Sequence, residues 1–156
     1  MNKYAHMLLR PMGKYRFFNK FCPEGTVLDI GSGKSPNRTK KLFPNCQYTG
    51  LDITNHYEDG KCLADHYVIT TIEDFTNTLS KYDEKFDCTI SSHNLEHCDQ
   101  RKLVLELSAA TVKPNGYMYL SFPSEISINF PRGRAGTLNY FDDSTHKELP
   151  PTVQWT

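Results

Sequence analysis

A doubly wound α/β fold on a mostly parallel sheet is predicted by three observations. The apolar run Thr26-Val27-Leu28-Asp29-Ile30 passes directly into the glycine turn Gly31-Ser32-Gly33. A basic segment carrying Pro36 then leads to a second apolar run, Tyr48-Thr49-Gly50-Leu51-Asp52-Ile53. Strand, turn, helix and strand in that order make a βαβ unit, whose crossover is right-handed. The same alternation recurs downstream, where the runs 86–91 and 117–122 flank a helical pattern.

Each element has its own local signal. Tyr4, Met7, Leu8, Met12, Phe17, Phe18 and Phe21 lie among basic residues, but Pro11 and Gly13 argue against one continuous helix. Residues 1–24 are therefore expected to be short helical or coiled pieces that cover a sheet face. Pro36 suits the first turn of a helix reaching Leu42, and Pro44-Asn45 ends it. Asn55 to Lys61 is polar and reads as a loop. Tyr67-Val68-Ile69-Thr70-Thr71-Ile72 predicts a third strand, with Glu73-Asp74-Phe75 as an alternative helix start. Asp99 is placed to cap a helix over 100–112, in which Leu103, Leu107, Ala110 and Thr111 recur at spacings of three and four. Pro114-Asn115-Gly116 supplies the turn into the fifth strand, and Pro123 closes it. One domain is expected, with residues 25–123 as the ligand-binding core and 124–156 as a loop-rich segment on the substrate side.

Composition narrows the class of protein. At 156 residues the chain has the length of one domain, and with 38% hydrophobic residues it is globular rather than disordered. Lys and Arg balance Asp and Glu at 18 each, which argues against a strongly basic nucleic-acid binder. The balance is uneven: residues 1–41 hold nine Lys and Arg against two acids, a net of +7. Such a face attracts an anionic cofactor, nucleic acid or lipid headgroup, or is simply a solvated surface. Five cysteines without a CxxC pair suggest reduced thiols and a cytoplasmic location. No apolar run approaches the roughly 18 residues of a membrane span, so none is expected.

In a doubly wound sheet the ligand sits beyond the carboxyl ends of the strands. There Asp29 offers an acceptor for an ammonium or amide donor, and glycines 31 and 33 let the backbone approach a ligand. Asp52 falls about 20 residues past the glycines, where a carboxylate can take both hydroxyls of a ribose. A dinucleotide fingerprint would need a third glycine, but Pro36 stands in its place. A P-loop frame around Gly33-Lys34-Ser35 is absent as well.

Four stretches together resemble the class I S-adenosylmethionine-dependent methyltransferases. They are Val27-Leu28-Asp29-Ile30-Gly31-Ser32-Gly33; Gly50-Leu51-Asp52-Ile53; Phe86-Asp87-Cys88-Thr89-Ile90-Ser91-Ser92-His93-Asn94-Leu95-Glu96-His97; and Val112-Lys113-Pro114-Asn115-Gly116-Tyr117. Asn115 stands where that family often has glycine, and asparagine tolerates the left-handed backbone. The ending Leu95-Glu96-His97 is similar to the branch acting on small molecules such as sugars, nucleotide-sugars, lipids and quinones.

The resemblance implies a Rossmann-like methyltransferase fold with S-adenosylmethionine as cofactor and S-adenosylhomocysteine as product. It implies that Asp29, Gly31, Ser32 and Gly33 hold the methionine moiety, Asp52 the ribose, and Ile53 the adenine face. Thr71, Ile72 and Glu73 fall where the adenine edge would be contacted. Ser91, Ser92 and His93 would border the methionine tail and the methyl group. His93 is the expected general base, because imidazole titrates near neutrality; Glu96 and His97 are the alternatives, and His97 could equally pin the next helix. Arg132, Arg134 and His146 are expected to touch the acceptor, an anionic one, with an exposed charged loop as the alternative.

Other readings of the same residues stay open at the level of sequence. His93-Asn94-Leu95-Glu96-His97 is formally an H-x-x-E-H string, but it follows a buried strand directly. The third ligands available to it, Glu106, Glu125 and His146, lack a supporting helix pattern, so no metal is expected. The basic N-terminal region leaves an RNA methyltransferase as an alternative, although a nucleic-acid partner is not the expectation. The resemblance covers residues 27–122, about five of the usual seven strands, and the full C-terminal antiparallel hairpin is expected to be missing. That leaves two further alternatives: a domain that binds cofactor without turnover, or a homodimer that covers the open sheet edge.

Overall fold

The structure is a computed structural model that describes residues 13–33, 36–55, 62–133, 138–147 and 149–151. Tyr4, Met7, Leu8, Pro11 and Met12, and most of the polar loop 55–61, lie outside the described residues. The elements run α1 (Lys14–Phe21), β1 (Gly25–Ile30), α2 (Pro36–Leu42), β2 (Cys46–Asp52), β3 (His66–Ile69), α3 (Phe75–Leu79), β4 (Phe86–Ser92), α4 (Arg101–Ala110) and β5 (Val112–Ser121). Single 3-10 turns follow at Ser80–Tyr82, Leu95–His97, Glu125–Asn129 and Tyr140–Asp142.

The five strands form one sheet in the order β3-β2-β1-β4-β5. All four neighbouring pairs are parallel, with Asp29 beside Gly50 on one side and Ile90 on the other. The order reverses direction at β1, which is the topological switch point of a doubly wound sheet.

Alternation along β1 explains the two faces. Val27 joins Cys22, Phe43, Cys46, Tyr48, Cys88 and Ile90 on the side of α1 and α2. Leu28 and Ile30 join Leu51, Phe75, Leu79, Phe86, Leu95 and Val104 on the side of α3 and α4. A period-two strand buried on both faces is what a parallel sheet demands. Within α1, Phe17 and Phe21 pack against Tyr117 and Tyr119 of β5, with ring centroids 4.9–6.3 Å apart. All five cysteines are free thiols.

Several local expectations are corrected. The third strand stops at Ile69, so Thr71, Ile72 and Glu73 form the turn into α3. Asp99 does not cap α4: Gln100 occupies that position without a side-chain cap, and Asp99 instead pairs with Lys147 at 3.3 Å. Residues 112–116 belong to β5 rather than to a helix end and a separate turn. The pairing of β4 with β5 is irregular between Phe86 and Cys88, opposite that turn. Asn115 does adopt the left-handed conformation, with φ of 65°.

Candidate active site

The glycine turn leaves β1 at the switch point. Gly31 and Ser32 both donate their amides to the Leu51 carbonyl, at 2.8 and 3.2 Å, which folds the turn back over the end of β2. Gly31 has φ of 69°, and a Cβ there would lie 2.5–2.9 Å from the side chain of Asn94. Only glycine fits that crossing of the two loops. Gly33 also has a positive φ, 66°, but faces open space.

Asp52 ends β2 and is buried, yet its carboxylate is turned to this edge. Its Oδ2 accepts the Gly33 amide at 2.7 Å, while Oδ1 accepts the Thr54 amide and hydroxyl at 3.1 and 3.3 Å. A carboxylate has about four lone-pair sites, so it retains capacity for ligand hydroxyls. Ile53 next to it and Ile72 beyond β3 are exposed apolar side chains on the same side of the sheet end. Glu73 sits beside Ile72, and its own backbone amide and the Thr71 hydroxyl hold its carboxyl below the usual glutamate range.

Asp29 is placed differently from Asp52. It is only 2% exposed and accepts a hydrogen bond from the Tyr48 hydroxyl at 2.9 Å. Burial, and then the Asp29 charge beside it, push the Tyr48 phenol far above the ordinary tyrosine range. The phenol is therefore a permanent donor. Tyr48, which carries no family signal in the sequence, thus fixes the carboxylate under the glycine turn. Ser32 reaches the Tyr67 hydroxyl at 3.5 Å, and Tyr67 in turn donates to the Thr54 carbonyl at 3.2 Å.

The end of β4 supplies the other wall. Ser91 is buried, and its hydroxyl has no hydrogen-bond partner among the described residues. Ser92 meets Ser121 of β5 at 3.0 Å. His93 turns the chain with φ of 54°, its amide held by the Ser121 carbonyl at 2.8 Å. Its ring is 64% exposed, and Nδ1 lies 3.1 Å from Oε1 of Glu96, which is completely buried. A buried carboxylate beside a largely exposed imidazole sets the ring's orientation and tautomer.

The segment after β5 folds over this turn. Arg101 donates to the carbonyls of Leu95, Glu96, Lys147 and Leu149 and to the Tyr140 hydroxyl. The Lys147 amide donates to the Glu96 carbonyl at 2.8 Å. His97 therefore does not pin α4; its Nδ1 meets the Thr145 hydroxyl at 2.9 Å, and its ring lies 4.9 Å from that of His146. His146 is not on an open loop, since it stacks on Tyr140 with centroids 4.4 Å apart. Arg132 is exposed and turned onto Asp142 and the Phe141 carbonyl. Arg134 lies outside the described residues. Arg101 and Asn94 were not singled out from the sequence, because Arg101 acts through backbone carbonyls distant along the chain and Asn94 through an approach to Gly31 that only the fold creates.

The sheet order, the glycine turn and the carboxylate at the end of β2 define a Rossmann-like fold of the methyltransferase class. The chain belongs to the methyltransferase domain family, which it matches over residues 4–150. It is similar to the ubiquinone biosynthesis O-methyltransferase of Actinobacillus pleuropneumoniae serotype 7, with 31% identity over 104 residues. That alignment takes in 61% of this chain and 44% of the relative. The protein of the same description from Haemophilus ducreyi is 31% identical over 105 residues, again 61% of this chain and 44% of that one. The chain thus spans less than half the length of these curated relatives.

Among solved structures, a SAM-dependent methyltransferase from Archaeoglobus fulgidus superposes with a TM-score of 0.62 at 22% identity, covering 94% of this chain and 67% of that one. The Burkholderia thailandensis 1,6-didemethyltoxoflavin-N1-methyltransferase, solved with bound 1,6-didemethyltoxoflavin and S-adenosylhomocysteine, has a TM-score of 0.52 at 16% identity. It covers 74% of this chain and 55% of that chain. The fold is that of SAM-dependent methyltransferases. The residues present fit such a cofactor: open space beside Gly33, a carboxylate at Asp52 and exposed apolar side chains at Ile53 and Ile72. Among the described residues, no helix is long and apolar enough to cross a membrane.

Proposed function

We propose that this chain transfers a methyl group from S-adenosylmethionine to a hydroxyl of a small, partly apolar acceptor. The observation that carries the reading is the opposition, across one sheet edge, of the Gly31–Gly33 turn with Asp52 and the exposed His93 imidazole backed by Glu96. Gly31, Ser32 and Gly33 would hold the methionine moiety and Asp52 the ribose. Ile53, Thr71, Ile72 and Glu73 would line the adenine, and Ser91 and Ser92 the methionine tail. Asp29 would act through the turn that it supports. When bound, the cofactor supplies a methyl group already activated on a sulfonium, so the protein's task is alignment and exclusion of water.

Alkylation of a hydroxyl also needs a proton acceptor. The His93 imidazole takes that proton, while Glu96 Oε1 stands against Nδ1 and steadies the positive charge that develops on the ring. The apolar character of the acceptor is supported by exposed Ile126, Phe130, Leu138 and Phe141 in the segment that follows β5. It is supported also by the descriptions of the curated relatives.

The test is radiolabelled methyl transfer to hydroxylated aromatic and lipid acceptors, compared with sugars and RNA. Transfer to the apolar hydroxyl acceptors is expected. His93→Ala should lower kcat about 10²–10⁴-fold while cofactor affinity stays within a few-fold. Equal turnover by wild type and His93→Ala would remove the base role, and transfer confined to RNA would overturn the acceptor class.

A further inference from the structure

We propose that Glu96, His97 and His146 form a binding site for a divalent transition-metal ion of the Zn2+ type. One ligand atom from each of the three residues lies within 4.8 Å of the others. A tetrahedral ion with donors at about 2.0–2.2 Å would draw them to roughly 3.3–3.6 Å from one another, an adjustment on the scale of side-chain rotation. Two imidazoles and one carboxylate form a donor set that zinc accepts, with a fourth position left for water or an acceptor oxygen.

The independent observation is Glu96. This residue has no exposed surface; Oε1 meets His93, and Oε2 has no hydrogen-bond partner among the described residues. A buried carboxylate oxygen without donors is expensive, and native structures supply a partner or a cation.

The surroundings prepare both imidazoles as ligands. His146 Nδ1 lies 2.6 Å from the Tyr140 carbonyl, which can only accept, so that nitrogen carries the proton and Nε2 keeps its lone pair. The Thr145 hydroxyl donates to Asp143 Oδ1 at 2.5 Å, and so it accepts from His97 Nδ1 at 2.9 Å, which frees Nε2 of His97. Outer partners that orient ligating histidines in this way are a hallmark of metal centres. Asp143 adds negative charge, its Oδ2 standing 3.8 Å from His146 Nε2.

Arg101 and the Lys147 amide hold residues 140–147 on the 95–97 turn, so the ligands are brought together before any ion arrives. In the sequence the H-x-x-E-H string has His146 among its candidate third ligands but no helix pattern to bring them together. The structure supplies His146 as that ligand and turns His93 out of the set, onto the other oxygen of Glu96. The inference stands on this cluster and does not depend on methyl transfer.

Tag-free protein, stripped with a chelator, is titrated with ZnCl2 and with MgCl2 by calorimetry, and its metal content is measured after gel filtration. One Zn2+ per chain is expected, with little heat from Mg2+. His97→Ala and His146→Ala should each weaken zinc binding about 100-fold or more, whereas His66→Ala, on β3, should leave it unchanged. Should His146→Ala fail to fold, His146→Gln replaces it, and His146→Asp, which restores a donor, should recover part of the affinity. Bound zinc should also raise Tm, because the ion binds only the assembled cluster. A folded chain that retains no stoichiometric zinc, or retention unaffected by the His97 and His146 substitutions, overturns the proposal.

Discussion

At the scale of single residues, the two glycines of the first turn do different work. Gly31 is pressed against Asn94, so a methyl group there meets three atoms of that side chain within 3.0 Å as well as a left-handed backbone. Gly33 has the same backbone strain but open space beside it. Gly33→Ala is therefore expected to cost about 1–2 kcal/mol of stability, the ordinary penalty for a left-handed alanine. Gly31→Ala should cost more, because Asn94 must also move. Denaturant midpoints of the two variants check the order; equal losses would show that the Asn94 contact carries no weight. The sequence displayed the glycines and Asp52 because a ligand-binding turn needs those residue types at that spacing. It did not display Tyr48, whose hydroxyl reaches Asp29 only through the parallel register of β1 with β2.

At the scale of elements, β1, β2 and β4 were legible because they are short, largely buried runs rich in apolar and β-branched residues and bounded by turn residues. The edge strand β3 is short and only half-buried, so its end could not be read from hydrophobicity. The helix over 101–110 was legible from its periodicity, but its start was not, since Asp99 is drawn away by Lys147. Entry into the main run of β5 depends on Asn115 at φ of 65°. Asn115→Gly should leave stability unchanged within a few tenths of a kcal/mol, and Asn115→Val should lose about 1–2 kcal/mol or more. Thermal or urea unfolding distinguishes these outcomes, and a neutral valine would contradict the assigned turn.

At the scale of the whole molecule, carboxylates held low by ion pairs and hydrogen bonds contribute to the acid limit of the fold. The Lys40 ammonium and the Tyr48 amide hold Asp65 below the usual aspartate range. Burial raises the Asp87 carboxyl, but donors from Thr26 and Lys113 outweigh it and leave it low. The Thr145 hydroxyl and amide do the same for Asp143. A carboxylate whose folded pKa is depressed stabilises the fold above its unfolded value, about 3.9, and that contribution is lost as pH falls through the folded value. Tm should hold from pH 7 to about 5 and then decline through the acid range. The decline should be shallower in Asp65→Asn, and an unchanged slope in that variant would contradict the role given to Lys40.

The doubly wound sheet itself was legible from the order of apolar runs, turns and basic segments. The placement of residues 138–147 was not, because it depends on Arg101 bonding to five separated groups rather than on any periodic pattern. The central claim is that the end of β1 and Asp52 form a cofactor site. Calorimetric titration of the folded chain with S-adenosylhomocysteine, beside Asp52→Ala, tests it most directly. Micromolar binding is expected, weakened about 100-fold or more without the Asp52 carboxylate. Absence of binding to the folded wild-type chain, or equal affinity of the two proteins, would contradict it.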